Sequence, residues 1–463
     1  MTATIDADVG IVGAGPGGMA AALELARAGL AVVVLDEGLG AGGQIFRQLP
    51  PGHRARVPAP EPPSHAHGHR LLADLAASAV RVEARATVWD AAPGRLWFEQ
   101  DGASRLLRCR EIVLAPGAYD RCIPFPGWTL PGVITAGAAQ VMVRGFGVRP
   151  GTRALVAGSG PLLLPTVTAL LAARVRVVAA LEAAPRRAML AALPGVLRSG
   201  ERLREAFYYA RQLLRAGVRL RWGHTVFAVA GDGRVQRATI GRVDGDGRPL
   251  RATARELEVD VVCAGFGLVP SIELAQCLGC DVIWNAVRGG WCVATAAFGR
   301  TSRDDVYAVG EIAGIGGAEV ALAEGRAAAA AIVGRRRGSA PTPAVERRVR
   351  AVRRAADAML AAFPVLPGLF ELADDATIVC RCEDVPRAQL RAAAAMHGAT
   401  ARAIKLGCRA GMGPCQARIC GPNLQACNDA AIVRGGGPAF DVPVVQVPLK
   451  PVRTATILDA PRG

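Results

Sequence analysis

The stretch Gly13-Ala14-Gly15-Pro16-Gly17-Gly18 decides the fold of this chain. It fits the pattern G-x-G-x-x-G and joins a short apolar segment, Val9 to Val12, to an Ala- and Leu-rich segment, Met19 to Ala28. The β-branched segment Ala31 to Leu35 follows. This order predicts a strand, a tight turn, a helix and a second strand. Glycines also serve ordinary turns, but the complete order of elements favours a dinucleotide-binding unit.

The glycines of the motif have separate physical roles. Gly13 permits the turn after the strand, Gly15 lets the backbone approach a pyrophosphate, and Gly18 lets helix and strand pack closely. The helix N-terminus supplies free N–H groups and the positive end of the helix dipole. A ribose-binding acid is expected about 20 residues further on, where Asp36 ends the second strand. The binding residues predicted here are Gly13, Gly15, Gly17, Gly18, Asp36 and Glu37.

A second unit of the same kind follows further along the chain. Its turn is Gly158-Ser159-Gly160-Pro161, and its second strand, Val175 to Leu181, ends in Glu182. Leu163 occupies the position of the third glycine, where a bulky side chain separates helix from strand or obstructs the pyrophosphate. We therefore expect a second Rossmann-like domain of the NAD type with a degraded site. A working NAD(P) site is the alternative.

Composition and charge bound the class of protein. The chain has 463 residues, enough for about three domains. It is 51% hydrophobic and 20% charged, which excludes intrinsic disorder. The formal net charge is +16, yet only Lys405 and Lys450 are lysines. Because the arginines are scattered and only 5% of residues are aromatic, we expect a compositional bias towards arginine and no nucleic-acid partner.

The twelve cysteines bear on the cellular compartment. The N-terminus has no basic segment followed by an apolar core, so no secretory signal is expected. No uncharged apolar run reaches the length of a transmembrane helix, about 18 residues. We expect a cytoplasmic protein and leave peripheral association with the inner membrane open. Clustered cysteines in that compartment indicate a metal or redox site before a disulfide.

Four cysteines near the C-terminus form the pattern C-x-C-x32-C-x4-C: Cys380, Cys382, Cys415 and Cys420. Four thiolates can hold a [2Fe-2S] cluster or a zinc ion, and spacing alone does not select between them. Helix starts are expected beside both pairs, where backbone N–H groups stabilise anionic sulfur. Cys408, just upstream of the second pair, is an alternative ligand.

Three further stretches carry a resemblance to a known family. They are Gly42-Gly43-Gln44, Leu114-Ala115-Pro116-Gly117-Ala118 and Val306-Tyr307-Ala308-Val309-Gly310-Glu311. With the glycine motif, they resemble the two-dinucleotide-domain flavoproteins of the pyridine-nucleotide-disulphide oxidoreductase superfamily. The resemblance implies FAD, although Pro116 replaces a Thr and Glu311 replaces the Asp that binds the ribityl chain. An adenine nucleotide without a flavin ring is the alternative. The resemblance adds Gly43, Gln44, Ala115, Gly117, Gly310 and Glu311 to the cofactor-binding residues.

The cysteine-rich segment also carries a resemblance. Val379-Cys380-Arg381-Cys382-Glu383-Asp384-Val385 and Arg409-Ala410-Gly411-Met412-Gly413-Pro414-Cys415-Gln416 are similar to the bacterioferritin-associated-ferredoxin-like (BFD-like) domain. That domain holds a [2Fe-2S] cluster, which implies the four cysteines as metal ligands. The last pair is C-x4-C here and C-x-x-C in the free-standing domain, so Cys408 stays an alternative ligand.

The stretch Tyr119-Asp120-Arg121-Cys122-Ile123-Pro124-Phe125-Pro126-Gly127-Trp128-Thr129-Leu130-Pro131-Gly132-Val133 joins the two nucleotide domains. It resembles the alpha subunit of heteromeric flavin-dependent amino-acid dehydrogenases, the family of opine oxidases, hydroxyproline and proline dehydrogenases and hydrogen cyanide synthase. The resemblance implies an electron-transfer subunit with no catalytic residue of its own. The amino or imino acid is oxidised on a glycine-oxidase-like flavoprotein beta subunit.

The same resemblance implies further partners and cofactors. We expect a small ferredoxin-like partner chain, a quinone or dye-like acceptor and an FMN at the interface between chains. The alternatives are a self-contained NAD(P)H-dependent FAD/[2Fe-2S] reductase and a non-enzymatic scaffold that binds an adenine nucleotide.

The expected fold class is α/β, with two Rossmann-like dinucleotide-binding domains and a small helical C-terminal [2Fe-2S] domain. The expected domains are an FAD-binding domain of residues 1–125 and 290–340, a second Rossmann domain of residues 126–289, a helical linker of residues 341–372, a BFD-like domain of residues 373–430 and an extended tail of residues 431–463. His65, His67 and His69 are expected in a solvated loop rather than a metal site, and Arg335-Arg336-Arg337 in a solvated linker.

Overall fold

The computed structural model describes residues 4–50, 61–428, 442 and 445–460. Strands and helices alternate through the nucleotide domains, and helices dominate the C-terminal part. The helices are α1 (Pro16–Arg27), α2 (His65–Ala76), α3 (Ala136–Gln140), α4 (Leu163–Ala172), α5 (Arg187–Leu197), α6 (Gly200–Arg215), α7 (Glu273–Cys277), α8 (Ala318–Arg337), α9 (Pro343–Leu360), α10 (Arg387–His397), α11 (Ala401–Cys408), α12 (Leu424–Asn428) and α13 (Thr454–Leu458).

The strands fall into two large sheets and four small ones. They are β1 (Thr4–Val12), β2 (Val32–Asp36), β3 (Arg81–Ala84), β4 (Thr87–Ala92), β5 (Arg95–Gln100), β6 (Ala103–Leu114), β7 (Ala118–Asp120), β8 (Val133–Thr135), β9 (Arg153–Gly158), β10 (Arg176–Glu182), β11 (Leu220–Trp222), β12 (His224–Ala230), β13 (Arg237–Arg242), β14 (Arg255–Glu258), β15 (Val261–Gly265), β16 (Leu268–Pro270), β17 (Val282–Asn285), β18 (Gly290–Val293), β19 (Val306–Ala308), β20 (Ile378–Cys380) and β21 (Val385–Pro386).

The first sheet has seven strands in the order β3-β2-β1-β6-β5-β4, with β19 paired to β6. The pairs β1–β2, β1–β6 and β6–β19 are parallel, and the register places Ile11 beside Val34 and Val113. These side chains are fully buried because helices cover the parallel part of the sheet. In the chain, β19 follows the strands of the second sheet, yet it pairs with β6 of the first sheet. The first sheet is therefore built from two separate parts of the chain.

The second sheet contains five parallel strands in the order β11-β10-β9-β15-β8. The antiparallel sheet β12-β13-β14 contributes to the same core. The chain therefore has the expected α/β class with two Rossmann-like units. In the part that the structure describes, no helix is long and apolar enough to cross a bilayer.

The C-terminal module consists of the β20–β21 hairpin and helices α10, α11 and α12. Its apolar side chains continue the core of the second domain: Val379, Leu390 and Ile404 belong to the same cluster as Phe125 and Trp128. The module is therefore packed onto the nucleotide domains. It has the small helical architecture expected from the sequence.

Several local expectations were wrong. The three histidines lie in helix α2 rather than a loop, and the His65 ring is buried against Phe46, with ring centroids 5.9 Å apart. The His69 ring is hydrogen-bonded to Glu61 at 2.7 Å. The expected extended tail contains the short helix α13. The parts of that tail at 431–441, 443–444 and 461–463, and residues 51–60 of the expected loop, lie outside the described residues.

The expected solvated arginine linker is the last turn of α8. Arg335 pairs with Glu111, and Arg336 pairs with Asp8 at 2.8 Å and with Glu111 at 3.3 Å. Glu111 is buried on β6, an inner strand of the first sheet. Arg335 and Arg336 therefore connect the C-terminal end of α8 to β1 and β6 by ion pairs.

Candidate functional site

The first glycine turn leaves space where a pyrophosphate would lie. A Cβ on Gly13, whose φ is 101°, would be 2.2 Å from the carbonyl oxygen of Ala115, and a Cβ on Gly18 would be 1.9 Å from the carbonyl oxygen of Gly13. A Cβ on Gly15 would meet only the Cα of Gly43, at 3.9 Å. α1 begins immediately after Gly15, so its free N–H groups face this space. The cradle fits the pyrophosphate of a dinucleotide.

Asp36, the carboxylate predicted to bind a ribose hydroxyl, lies beside the glycine turn. The Asp36 carboxylate accepts the N–H of Ala14 at 2.6 Å and the N–H of Gly38 at 2.7 Å. Burial raises the pKa of Asp36, and the two N–H donors oppose that rise. Asp36 therefore fixes the loop after β2 against the glycine turn. The neighbouring Glu37 points outward and pairs with Lys450 at 2.9 Å.

The three flavin-associated stretches meet around this turn. A Cβ on Gly43 would be 2.7 Å from the Cα of Gly15, and a Cβ on Gly17 would be 3.4 Å from the Val309 side chain. Ala115 donates its N–H to Val12 at 2.8 Å. The stretches that are far apart in sequence thus surround one cradle. The remaining predicted residues Gln44, Gly117 and Gly310 lie on the same loops.

Glu311 has a local role in this structure. Its two carboxylate oxygens accept the N–H groups of Gly316 at 3.0 Å and Gly317 at 2.9 Å, just before α8. Burial raises the pKa of Glu311. The side chain therefore holds the loop that precedes α8. Its expected contact with a ribityl hydroxyl stays a prediction.

A buried ion pair behind this loop was missed by the sequence analysis. Arg353 of α9 donates to Glu324 of α8 at 2.6 and 3.0 Å, and to the carbonyl oxygens of Gly314 and Ile315 at 2.6 and 3.1 Å. Glu324 also accepts the N–H of Gly310 at 2.8 Å. The signal in the sequence was Glu324, a carboxylate followed by the alanine-rich part of α8.

The four cysteines of the C-terminal pattern lie together as two thiol pairs. A hydrogen bond with Cys420 lowers the pKa of Cys380 to about 6, and the backbone N–H groups of Gly411 and Glu383 act in the same direction. The Cys382 thiol interacts with Cys415. Cys380 and Cys420 are buried, whereas Cys382 is exposed. N–H groups around a sulfur stabilise its thiolate, which is the form that binds metal.

Four thiols can hold either a single zinc ion or a [2Fe-2S] cluster. Two thiol pairs side by side match the four-cysteine ligation of a [2Fe-2S] cluster.

Glycine and turn geometry hold the two cysteine pairs in place. A Cβ on Gly413 would be 2.1 Å from the Cβ of Cys382, so only glycine fits there. Cys415 lies in a turn, whereas Cys420 caps a short 3-10 helix, Gly421–Asn423, that leads directly into α12. Cys408 is buried and bonds back to the carbonyl oxygen of Ile404 in its own helix, at 3.2 Å. This contact disfavours Cys408 as a ligand.

The cysteine module docks on the stretch that joins the nucleotide domains. The Trp128 indole N–H donates to the carbonyl oxygen of Ile378 at 2.6 Å, and the Arg381 guanidinium lies 5.3 Å from the centre of the Trp128 ring. Asn423 donates to the carbonyl oxygen of Cys122. The tryptophan of this stretch thus contacts the segment that carries the first cysteine pair, before Cys380 and between the two cysteines.

Arg418 is a second bridge between the module and the nucleotide domains, and the sequence analysis did not find it. It lies in the loop between Cys415 and Cys420, donates to the Tyr119 hydroxyl at 2.9 Å and pairs with Glu273 at 3.1 Å. Its other nitrogens reach the carbonyl oxygens of Leu449 at 2.7 Å and Cys415 at 3.3 Å. One side chain therefore connects the cluster loop, the tail and the nucleotide domains.

The second glycine turn, at Gly158 to Pro161, has Phe363 packed beside it. Leu163 is accommodated in the core opposite Gly265, and the Glu182 oxygens accept the N–H groups of Gly160 and Ala184, both at 2.9 Å. Burial raises the pKa of Glu182 to about 7. Phe363, from the segment after α9, lies 3.9 Å from the position of a Cβ on Gly160. The Glu182 contacts match those of Asp36 at the first turn, so the two turns differ at Leu163 and Phe363 rather than at the acid.

The comparison with known families agrees with this architecture. Residues 7–325 match the family described as pyridine nucleotide-disulphide oxidoreductase, and residues 378–427 match the BFD-like [2Fe-2S] binding domain. The chain belongs to the pyridine nucleotide-disulphide oxidoreductase family and carries a C-terminal BFD-like [2Fe-2S] domain. It is a flavin-dependent oxidoreductase with an FAD-binding domain.

Curated relatives match over almost the whole chain. The chain is similar to a subunit of opine oxidase from Rhizobium meliloti, at 32% identity over 98% of both chains. It is also similar to the HcnB subunit of hydrogen cyanide synthase from Pseudomonas aeruginosa, at 32% identity over 89% of this chain and 90% of the relative. Both relatives are subunits by name.

A solved structure shares the complete fold. The crystal structure of L-proline dehydrogenase from P. horikoshii matches with a TM-score of 0.71 and 19% identity, over 99% of this chain and 80% of that one. At this identity the match shows the fold alone. The expected resemblance to subunits of flavin-dependent amino-acid dehydrogenases is confirmed by the curated relatives.

Proposed function

We propose that this chain is the electron-transfer subunit of a heteromeric FAD/[2Fe-2S] dehydrogenase that oxidises an amino or imino acid of the opine, hydroxyproline, proline or glycine type. The observation that carries the proposal is the docking of the four-cysteine module on Tyr119 and Trp128, between the two nucleotide domains. When bound, FAD supplies two-electron chemistry and the cluster supplies one-electron chemistry. The chain's own residues would hold both groups, in domains that contact each other through Trp128 and Arg418.

The proposed cofactor ligands are the residues that the geometry brings together. The glycine turn with Asp36 would hold the dinucleotide, and the thiols of Cys380, Cys382, Cys415 and Cys420 would hold the cluster. Arg418 and Trp128 are positioning residues, because they contact the cluster loops and none of the proposed ligand atoms.

The spin-resonance spectrum of the reduced chain tests the cofactor assignment. Cys415→Ser should abolish a [2Fe-2S] signal, because it removes one of four thiolate ligands. Cys408→Ser is the matched control and should retain the signal, since that thiol is bonded to its own helix. Loss of the signal in Cys408→Ser with retention in Cys415→Ser would reverse the ligand assignment.

We propose a glycine-oxidase-like flavoprotein as the partner that binds the amino or imino acid. The same complex would contain a small ferredoxin-like chain and an interfacial FMN. A quinone or dye-like molecule is the proposed acceptor. The subunit names of the relatives support an assembly with partner chains. Co-expression of this chain with the proposed flavoprotein partner should give a complex that co-purifies and contains FMN. Separate elution of the two chains would contradict the assembly.

The alternative function is a self-contained NAD(P)H-dependent reductase. The second turn retains Gly158, Gly160 and Glu182, as that function requires. However, Leu163 replaces the third glycine of the turn, and Phe363 lies against the turn. NADH added to the purified chain should therefore leave the flavin absorption unchanged over seconds. Rapid bleaching would favour the alternative.

We infer peripheral association with the inner membrane from the outer face of helices α5 and α6. Leu203, Phe207 and Leu214 are 38%, 74% and 83% exposed, and their spacing places them on one face of α6. Arginines are interleaved with this apolar face, namely Arg204, Arg211 and Arg215 on α6 and Arg186, Arg187 and Arg198 around α5. Apolar side chains among basic ones are typical of helices that bind anionic lipid surfaces.

Vesicle sedimentation tests the membrane surface. The chain should bind vesicles containing phosphatidylglycerol more tightly than phosphatidylcholine vesicles, and the double variant Phe207→Ser/Leu214→Ser should lose most of the binding. Leu406→Ser is the matched control, because Leu406 is 67% exposed and lies on α11. Equal binding by the double variant and the control would refute this surface.

A further inference from the structure

A cavity of about 60 Å³ lies between the cysteine module and the nucleotide domains. A cavity of this size has room for a few water molecules, or for one group such as a carboxylate or a phosphate. Its wall includes the following side chains: Tyr119, Arg121, Glu273, Trp284, Trp291 and Arg418. The glycine motif and the cysteine quartet are not part of this wall.

Arg121 is the unusual group in this wall. Its side chain is buried, with 7% of the residue exposed, and its one side-chain hydrogen bond within the described chain is from Nη2 to the carbonyl oxygen of Gly289 at 2.9 Å. Among the described residues no carboxylate contributes to its electrostatic environment, and burial lowers the pKa of Arg121 to about 10. Buried guanidinium groups are normally paired, because an uncompensated buried charge is costly.

The other buried arginines described above follow that rule. Arg353 is paired with Glu324 at 2.6 Å, and Arg418, in the wall of the same cavity, is paired with Glu273 at 3.1 Å. Of these three, Arg121 alone lacks an anion in the part of the chain that the structure describes. The remaining N–H donors of its guanidinium have no partner among those residues.

A second donor in the wall is also unused. The indole N–H of Trp284 is buried and has no hydrogen-bond partner in the described part of the chain. Trp284 packs edge-on against Trp291, with ring centroids 5.7 Å apart. The cavity therefore combines an unpaired cation, an unpaired neutral donor and aromatic walls. These groups match an oxyanion that has a small apolar part.

We propose that this cavity binds a small oxyanionic group, a carboxylate or a phosphate, held by Arg121 and the Trp284 indole N–H. The group arrives either as a free small anion or as the end of a larger ligand. The proposal does not depend on the function proposed above. Gln416, Ala417 and Arg418 of the Cys415–Cys420 loop line the same cavity, so the bound anion also contacts the loop that carries the second cysteine pair.

Calorimetric titration of the full chain, in a buffer without carboxylate or phosphate, tests the proposal. Acetate, inorganic phosphate and FMN are the three probes. At least one should bind saturably, and Arg121→Met should weaken that binding about tenfold or more, because a charge-assisted hydrogen bond is lost. Arg354→Met is the matched control, since Arg354 is exposed and donates to the carbonyl oxygen of Arg350 in its own helix. The control should bind like the natural chain.

The probes distinguish the two sources of the anion. FMN binding that is much tighter than phosphate binding would identify the end of a larger ligand. Comparable binding of phosphate and FMN, or binding of acetate, would identify a free anion. Trp284→Phe keeps the aromatic wall but removes the indole N–H, and it should weaken binding by a smaller factor than Arg121→Met.

Thermal unfolding without added anion separates binding from a structural role. The melting temperature of Arg121→Met should equal or exceed that of the natural chain, because the variant removes an uncompensated buried charge. A lower melting temperature together with unchanged anion binding would overturn the proposal, as would the absence of saturable binding by all three probes.

Discussion

The buried pair of Arg353 and Glu324 gives the sharpest stability prediction. Arg353→Met removes two hydrogen bonds to Glu324 and two to the carbonyl oxygens of Gly314 and Ile315. It leaves the Glu324 carboxylate buried beside the N–H of Gly310. Removing one partner of a buried ion pair costs about 3–5 kcal/mol, because the remaining charge is uncompensated. We expect the free energy of unfolding to fall by that amount.

Urea unfolding of the FAD-loaded chain, followed by fluorescence, measures this loss. Arg354→Met is the matched control, because it removes an exposed arginine from the same helix. The control should lose less than about 0.5 kcal/mol. The double variant Arg353→Met/Glu324→Leu should recover much of the loss, since neither charge is left alone.

The loss should also depend on pH. Burial raises the pKa of Glu324, and Arg353 opposes that rise. Without Arg353, the pKa of the folded state is higher still, so the ionised carboxylate destabilises the fold more as pH increases. The difference between Arg353→Met and the natural chain should therefore be larger at about pH 8 than at about pH 5. A loss no greater than that of Arg354→Met at both values would refute the reasoning.

Three further predictions test other parts of the molecule. Gly413→Ala should abolish the cluster spectrum without unfolding the nucleotide domains, because its Cβ would be 2.1 Å from the Cβ of Cys382; an intact spectrum would contradict this. Gly18→Ala should yield protein that retains no FAD after gel filtration, since its Cβ would be 1.9 Å from a backbone oxygen of the glycine turn. Burial lowers the pKa of His65 from 6.5 to about 4. Between these pH values the unfolded chain binds a proton that the folded chain excludes. The free energy of unfolding therefore falls as pH decreases from about 6.5 to about 4. His65→Gln should flatten this part of the melting-temperature profile, and His69→Gln should not.

The glycine turns and the cysteine pattern could be predicted because their signals are local. Gly13 to Gly18 form one contiguous turn, and the requirement for glycine follows from contacts within a few residues of it and with the parallel strand beside it. The fold class followed from the repetition of this unit. The cysteine pattern indicated one shared metal site, and the family resemblance was needed to choose a [2Fe-2S] cluster over zinc, because spacing alone does not select the metal.

The contacts that join the domains could not be predicted. The partners of Arg418 lie about 300 and 145 residues away in sequence, at Tyr119 and Glu273, and such distances leave no local pattern. The arginines at the end of α8 were expected in solvent for the same reason. The histidine segment was expected in a loop because of its flanking prolines, but packing of His65 against Phe46 stabilises a helix there.

The unpaired state of Arg121 is visible only in three dimensions. The sequence places it beside Asp120, the last residue of β7. The Asp120 carboxylate is hydrogen-bonded to Thr135 at 2.5 Å, and it is not among the groups that perturb Arg121. The arginine therefore faces the cavity without a carboxylate from the described residues.

Anaerobic titration of the purified single chain with amino and imino acids tests the proposed role most directly, with the flavin absorption band as the readout. The account predicts no bleaching by opines, proline, hydroxyproline or glycine, and full bleaching by dithionite. The same chain in complex with its flavoprotein partner should be bleached by one of these substrates. Bleaching of the chain alone by an amino or imino acid would contradict the account, because it would locate substrate oxidation on this chain rather than on its partner.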